Sequence, residues 1–204
     1  MKLSTTLATT LLSTGTLTQA QFTNQSSSFY LELLTDDATY NGTFLSACHE
    51  GAAIEGLCAF GDSMPNATIT SDIFQLNSSI YSSGGSGVSG ELTYELRGGN
   101  FNLSEPLAYS INPASNVASL FFYPGTTGDS VYIAFDADGL MNIQSSLDDT
   151  TVPASDNGTI SYYRFYVCTT NNIGYTYPTL NWVFGDGAPQ NPTCCPTNVT
   201  RIFV

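Results

Sequence analysis

The chain has 204 residues and a formal net charge of −13, from four basic and 17 acidic side chains. Such an acidic chain repels phosphate backbones and anionic lipids, so nucleic acid and acidic membranes are poor partners. Charged residues make up only 10% of the sequence and hydrophobic residues 42%, which indicates one globular domain with a neutral-polar surface.

The first predicted element is a secretory leader, residues 1–20. Lys2 supplies a positive start, Leu3 to Leu17 form a modestly apolar run, and Thr18 to Ala20 offer small residues at the cleavage positions. We expect the mature chain to begin at Gln21 with three arginines, no lysine and all 17 carboxylates, a net charge of −14. Since no other run approaches the roughly 18–20 apolar residues that cross a bilayer, we expect no membrane segment.

Seven Asn-x-Ser/Thr glycosylation acceptors are distributed along the chain, none with proline in the middle position. They are Asn24, Asn41, Asn66, Asn77, Asn102, Asn157 and Asn198. The chain has 15 asparagines, for which chance predicts roughly three or four acceptors. The excess predicts a secreted glycoprotein, located outside the cell or in the cell wall.

Period-2 patterns predict roughly nine short strands, and helical patterns are almost absent. In Glu91–Leu96, for example, Leu92, Tyr94 and Leu96 share one face of a strand. The other predicted strands are Phe29–Leu34, Ile54–Phe60, Ala118–Tyr123, Ser130–Asp136, Leu140–Gln144, Ile160–Val167, Leu180–Phe184 and Val199–Val204. This all-β pattern favours a two-sheet β-sandwich of jelly-roll type, a single domain over residues 21–204.

Five cysteines in an oxidising compartment leave one without a partner. Local pairing predicts a disulfide between Cys48 and Cys58. Cys168 pairs with either Cys194 or Cys195, because adjacent cysteines very rarely bond to each other.

Two motifs that attract a catalytic or metal interpretation do not hold up. The block Gly61-Asp-Ser63 matches the motif of the Gly-Asp-Ser esterases, but their histidine base near the carboxyl end is missing. His49, the only histidine, lies upstream of the serine, and one histidine beside a disulfide cysteine does not make a zinc site. We therefore predict no catalytic residue, no metal site and no cofactor.

Glycoside hydrolysis needs two carboxyl groups across a cleft, one protonated and one ionised. Glu50 with Glu55, or Glu91 with Glu95, are candidate pairs. The Glu-x-Asp-x-x-Glu pattern of jelly-roll glucanases is absent, so solvated surface acids are the simpler interpretation. A secreted hydrolase acting on wall polysaccharide stays an alternative.

An aromatic cluster near the carboxyl end is the candidate binding site. Its predicted ligand-binding residues are Tyr175, Tyr177, Asn181, Trp182 and Asp186. Flat rings beside amide and carboxylate groups are the usual means of holding a sugar ring. The alternative is that Trp182 and most tyrosines fill the core, with polar tips at its edge.

Two sequence blocks carry a resemblance to a known group of proteins. They are Cys48-His-Glu-Gly-Ala-Ala-Ile-Glu-Gly-Leu-Cys58 and the carboxyl-terminal stretch from Phe165-Tyr-Val-Cys through Asn181-Trp-Val-Phe and Asn191-Pro-Thr-Cys to Arg201-Ile-Phe-Val. These blocks resemble an uncharacterised family of small secreted proteins of filamentous (ascomycete) fungi. The resemblance implies a fungal extracellular protein, favours the Cys168–Cys194 disulfide, and makes Cys195 the departure from the family.

These observations lead to one preferred function and two alternatives. We expect a secreted, N-glycosylated, non-catalytic surface or cell-wall protein, a monomer that binds cell-wall or host polysaccharide through exposed aromatic residues. The alternatives are the secreted glycoside hydrolase and a purely structural wall glycoprotein.

Overall fold

A computed structural model describes most of the chain, and the fold is all-β. The described residues are 22–61, 70–79, 85–125 and 130–204. The predicted leader, Ser63 and the acceptor Asn66 lie outside these ranges. Within them, no helix has the length and apolar character needed to span a bilayer.

Fifteen strands are present in the described residues, together with one 3-10 turn at Thr70–Asp72. In chain order they are β1 (Asn24–Gln25), β2 (Phe29–Leu34), β3 (Phe44–Gly51), β4 (Ile54–Gly61), β5 (Phe74–Ser78), β6 (Gly90–Arg97), β7 (Asn102–Ile111), β8 (Val117–Phe122), β9 (Tyr132–Phe135), β10 (Met141–Asp148), β11 (Ser155–Tyr162), β12 (Phe165–Asn172), β13 (Tyr175–Val183), β14 (Cys195–Pro196) and β15 (Asn198–Phe203).

Eight of these strands close into a β-barrel. Each is hydrogen-bonded to the next in the order β5, β2, β3, β4, β13, β8, β7 and β6, and β6 pairs again with β5. The prediction of a two-sheet sandwich with about nine strands is therefore wrong. Phe74 of β5 gives the physical reason, since it pairs with Phe29 of β2 on one side and with Tyr94 of β6 on the other. Both edges of β5 are used, so the gap that separates the sheets of a sandwich is absent here.

Large apolar side chains fill the barrel interior. Phe29, Phe74 and Phe122 are fully buried, and the rings of Phe74 and Phe122 stack with centroids 5.8 Å apart. Burying a side chain of this size contributes about 1.5–3 kcal/mol. The interior is thus a packed core, and any binding surface lies on the outside or at an end.

The remaining strands extend the barrel wall. β15 lies along β2, with Asn198 opposite Leu34 and Phe203 opposite Phe29. β9, β10 and β11 continue from β6, β1 pairs with β5, and β12 forms a long hairpin with β13. This hairpin carries most of the aromatic cluster that the sequence indicates.

Two disulfides connect neighbouring strands and segments. Cys48 is bonded to Cys58, with their Cα atoms 5.8 Å apart, and Cys168 is bonded to Cys194. Cys195 is free, and its Sγ lies 3.3 Å from the Thr35 hydroxyl. The predicted disulfides are thus present, in the pairing that the family resemblance favours.

Candidate functional site

A partly exposed row of four rings crosses strands β3, β4 and β13. It comprises His49, Phe60, Tyr175 and Tyr177, and we call it the aromatic strip. The rings of Tyr175 and Tyr177 are 28° from parallel, with centroids 6.2 Å apart. His49 meets Tyr175 edge-on at 5.3 Å. Phe60 meets Tyr177 edge-on at 5.2 Å and is 50% exposed, so the strip is a continuous aromatic surface open to solvent.

Strand register holds the strip together. Thr179 of β13 pairs with Cys58 of β4, so Tyr177, two residues before Thr179, lies beside Phe60, two residues after Cys58. Side chains two residues apart in a strand share a face. The disulfide at Cys58 ties β4 to β3, which carries His49. Alternation and the register of β4 with β13 thus place Phe60 beside Tyr177. His49 reaches Tyr175 from the end of β3, where the register with β4 shifts.

A cleft of about 360 Å³ lies beside the strip. Its lining includes Thr170 and Asn172 of β12, Ser110 of β7, and Ser119 and Phe121 of β8. The described residues that line it carry hydroxyl, amide or apolar side chains, and none of them is charged. The cleft therefore offers hydrogen-bond donors and acceptors without a net charge.

The cleft and the strip share one face of the β12–β13 hairpin. Thr170 is the register partner of Tyr177, and Asn172 is the partner of Tyr175. Directly opposite residues of an antiparallel pair point to the same face of the sheet. The two tyrosine rings and the Thr170 and Asn172 side chains of the cleft therefore lie on the same face of the hairpin.

Hydrogen bonds fix the cleft side of the hairpin. The Asn172 side-chain amide donates to the carbonyl oxygen of Glu50 at 3.2 Å. The Asn171 amide donates to the Thr176 hydroxyl at 2.6 Å, and the hydroxyls of Thr170 and Thr179 are 2.7 Å apart. These contacts tie the hairpin to β3 and its two strands to each other, which keeps the site in one conformation.

The structure brings together two of the five predicted ligand-binding residues. Tyr175 and Tyr177 lie in the aromatic strip. Trp182 is 6% exposed and packs edge-on against Phe165 in the core, with centroids 4.9 Å apart. Asp186 lies on the exposed segment after β13, apart from the strip.

Asn181 is also buried, and its contacts are internal. Its side-chain amide donates to the backbone carbonyl of Thr179 at 2.7 Å and to the Thr179 hydroxyl at 3.1 Å. It is fully shielded from solvent, so both of these contacts lie within β13 and neither faces a ligand.

Two strip residues, His49 and Phe60, are absent from the sequence-based set. They come from β3 and β4, more than a hundred positions before the tyrosines, and only the fold brings them close. The sequence does carry one signal that Trp182 is a core residue. Trp182 is two positions from Leu180 and therefore shares its strand face, whereas Tyr175 and Tyr177 lie at the alternate positions. Period-2 alternation along β13 therefore assigns Trp182 to the other face of the strand from the two tyrosines.

Glu50 is buried beside the Cys48–Cys58 disulfide. It is 1% exposed, and neither carboxyl oxygen has a hydrogen-bond partner. Burial raises the pKa of Glu50, and the nearby Asn172 amide opposes this shift. The two sulfur atoms lie within 4.8 Å of the carboxyl, but they are bonded to each other and so do not offer thiolate ligands for a metal.

A buried carboxyl pair, Glu55 and Glu105, lies inside the barrel. Glu55 shares the inward strand face of Leu57, and Glu105 that of Leu107. Glu105 is 0% exposed and Glu55 6%. Burial, followed by the neighbouring Glu55 carboxyl, raises the pKa of Glu105 to about 8.

The two candidate carboxyl pairs for hydrolysis lie in unlike environments. Glu50 is buried near the disulfide, and Glu55 faces the interior. Glu91 is 7% exposed, whereas Glu95 is exposed and forms an ion pair with Arg97 at 2.9 Å. Glu105 combines a raised pKa with a neighbouring carboxyl, that of Glu55, but both of these side chains lie in the core.

Five of the seven glycosylation acceptors are exposed in the described structure. They are Asn24, Asn41, Asn102, Asn157 and Asn198. Asn77 is half-buried, and its amide donates to the Thr93 hydroxyl at 3.4 Å. Glycan attachment to the exposed acceptors therefore meets no steric obstacle, and it stays a prediction.

The fold and site define a disulfide-linked β-barrel protein with an aromatic strip beside a neutral cleft. The chain belongs to the family described as a domain of unknown function, DUF7907, whose model matches residues 26–202. This agrees with the resemblance to an uncharacterised family. No curated protein and no solved structure matches the chain.

Proposed function

We propose that this protein is a secreted, non-catalytic glycan-binding protein that holds a neutral polysaccharide on the aromatic strip. The observation that carries the proposal is the contact of four surface rings in one row, of which His49 and Phe60 are exposed and Tyr175 and Tyr177 are half-buried. Apolar faces of sugar rings stack on such surfaces, and a row of rings binds several units of a chain.

The polar surroundings fit the same ligand. Sugars carry many hydroxyl groups that donate and accept hydrogen bonds, and the cleft beside the strip offers Thr170, Asn172, Ser110 and Ser119. Directional contacts of this kind add orientation to the stacking. The cleft is the part of the site that selects among sugars.

The absence of charge in the cleft favours a neutral glycan. The described residues that line it are uncharged, while the whole chain carries a net charge of −13. This field repels polysaccharides with carboxylate or sulfate groups. Neutral glucans, chitin and xylans are therefore the expected ligands.

The location is part of the proposal. Seven glycosylation acceptors, two disulfides and the resemblance to secreted fungal proteins all support a fungal, N-glycosylated protein of the cell surface or cell wall. A monomer with one binding surface coats or senses wall polysaccharide of its own cell or of a host.

A sedimentation assay with insoluble β-glucan, chitin and xylan, supported by a glycan array, tests the proposal. We expect wild-type protein to sediment with at least one neutral polysaccharide, without releasing reducing sugar, and to ignore polygalacturonate. Phe60→Ala should weaken binding about three- to tenfold.

Phe101→Ala is the matched control for this assay. Phe101 is 54% exposed, against 50% for Phe60, but it lies in the β6–β7 turn, apart from the strip. Equal losses in the two variants, or no binding to any neutral glycan, would remove the glycan-binding proposal. Release of reducing sugar would replace it with hydrolysis.

A further inference from the structure

Arg201 of β15 lies in a second cleft, and its guanidinium forms no ion pair with a carboxylate of the described residues. Its guanidinium carbon lies 4.5 Å from the ring centroid of Phe135 and 5.0 Å from that of Phe203. The two aromatic contacts hold the flat group in place through cation–π attraction. The guanidinium is thus positioned before any ligand arrives.

The other arginines of the described chain have polar partners. Arg97 is paired with Glu95 at 2.9 Å. Arg164 donates to the carbonyl oxygens of Val183 and Gly187, at 3.0 and 2.7 Å. The Arg201 side chain has no ion pair or hydrogen bond within the described residues, although it is half-buried. A partly desolvated cation without an acceptor costs free energy that an anionic ligand recovers.

The cleft beside Arg201 has a volume of about 800 Å³, within the range of about 300–1,000 Å³ typical of small-molecule sites. Its lining combines Leu76, Val88 and Phe135 with the neutral polar residues Gln25, Ser26 and Ser78 and with the Arg201 guanidinium. Val88 is 51% exposed, whereas Leu76 and Phe135 show only 6% and 4% of their surface. The cleft therefore combines a cation with apolar and neutral polar surfaces.

Asp136 also lines this cleft, but its carboxylate is engaged elsewhere. One oxygen accepts hydrogen bonds from the backbone amides of Asp138 and Leu140, at 3.0 and 2.8 Å. The other accepts from the Tyr163 hydroxyl at 2.8 Å. Asp136 therefore keeps its negative charge in the cleft, but both of its oxygens are used in the β9–β10 turn and at Tyr163, so its carboxylate does not occupy the Arg201 guanidinium.

We propose that this cleft binds a small organic carboxylate with an apolar body. The carboxylate accepts two parallel N–H hydrogen bonds from Arg201, the geometry for which a guanidinium fork is suited. The apolar body lies against Leu76, Val88 and Phe135. This site shares no residue with the aromatic strip, so the proposal does not depend on glycan binding.

Calorimetric titration with sodium octanoate, and with 1-octanol as the uncharged analogue, tests the site. The measurements compare wild-type full-length protein with Asn24→Gln, because Asn24 lines the cleft and a glycan on it would narrow the opening; both proteins should prefer octanoate. At pH 7 and low salt, we expect octanoate to bind about ten- to a hundredfold more tightly than octanol. Added salt should narrow this difference.

Three further variants separate the site from general effects. Arg201→Gln should abolish the preference for octanoate, and Arg97→Gln should keep it. Val88→Asp adds a competing carboxylate at an exposed lining position and should weaken octanoate binding. This variant replaces Arg201→Gln as the test if Arg201→Gln fails to fold. Octanoate that binds no better than octanol, or equal losses in the Arg201 and Arg97 variants, would overturn the proposal.

Discussion

The carboxyl groups of Glu55 on β4 and Glu105 on β7 lie close together inside the barrel. Both oxygens of Glu105 and one of Glu55 have no hydrogen-bond partner in the described structure. Two buried carboxyl groups at such close range avoid like-charge repulsion when one of them holds a proton. The barrel core therefore holds a bound proton, which is released as the pH rises.

This pair predicts that stability falls as pH rises. Burial and the neighbouring Glu55 raise the pKa of Glu105 from its ordinary 4.5 to about 8, so between these values the folded chain keeps a proton that the unfolded chain has lost. The free energy of unfolding is then highest below about pH 4.5 and decreases towards pH 8, by up to about 1.4 kcal/mol per pH unit for one proton. Urea titrations across this range measure the slope.

Glu105→Gln should make the free energy of unfolding less dependent on pH, by the contribution of up to one proton. The glutamine amide can donate to Glu55 but does not titrate. The slope does not vanish, since burial also raises the pKa of Glu50 and Glu91. Exposed Glu95→Gln is the control and should leave the slope unchanged. If the free energy of unfolding depends on pH equally in wild type and Glu105→Gln, Glu105 does not hold the buried proton.

Trp182 should affect stability and not recognition. Replacing this core residue with alanine leaves a large cavity and should cost about 3–5 kcal/mol of unfolding free energy. Tyr177→Ala, on the half-exposed face of the same strand, should cost about 1 kcal/mol. Urea denaturation compares the two, and equal costs would place Trp182 outside the core.

The adjacent residues Cys194 and Cys195 should contribute differently to stability. Cys194→Ser opens a crosslink with a sequence separation of 26 and should lower the unfolding free energy by about 3 kcal/mol. Cys195→Ser, which removes only a free thiol, should change it by less than about 0.5 kcal/mol. Alkylation of the native protein followed by peptide mapping should label Cys195 alone. Labelling of Cys194 in place of Cys195 would reverse the assignment.

The all-β class follows from local alternation, but barrel closure does not. Whether β5 pairs with one neighbour or with two depends on long-range contacts that a period-2 pattern leaves undefined. β7 is absent from the predicted strands because Glu105 interrupts its inward apolar face and Pro106 argues against a strand interior. The structure resolves both conflicts, since Glu105 has Glu55 beside it and Pro106 lies within the β6–β7 pairing.

The candidate site is predictable in part for the same reason. Tyr175 and Tyr177 are close in sequence and share a strand face, so local reasoning finds them. His49 and Phe60 reach them only through the register of β4 with β13 and the Cys48–Cys58 disulfide. Sequence proximity alone groups Trp182 with the tyrosines, although it faces the core.

The central claim is that the aromatic strip binds neutral polysaccharide, and one measurement tests it most directly. The Tyr175→Ala, Tyr177→Ala double variant, checked by circular dichroism for an unchanged fold, is titrated against the neutral polysaccharide that wild-type protein binds. We predict a loss of affinity of about ten- to a hundredfold, with Phe101→Ala binding like wild type. A folded double variant that binds with wild-type affinity would contradict the account.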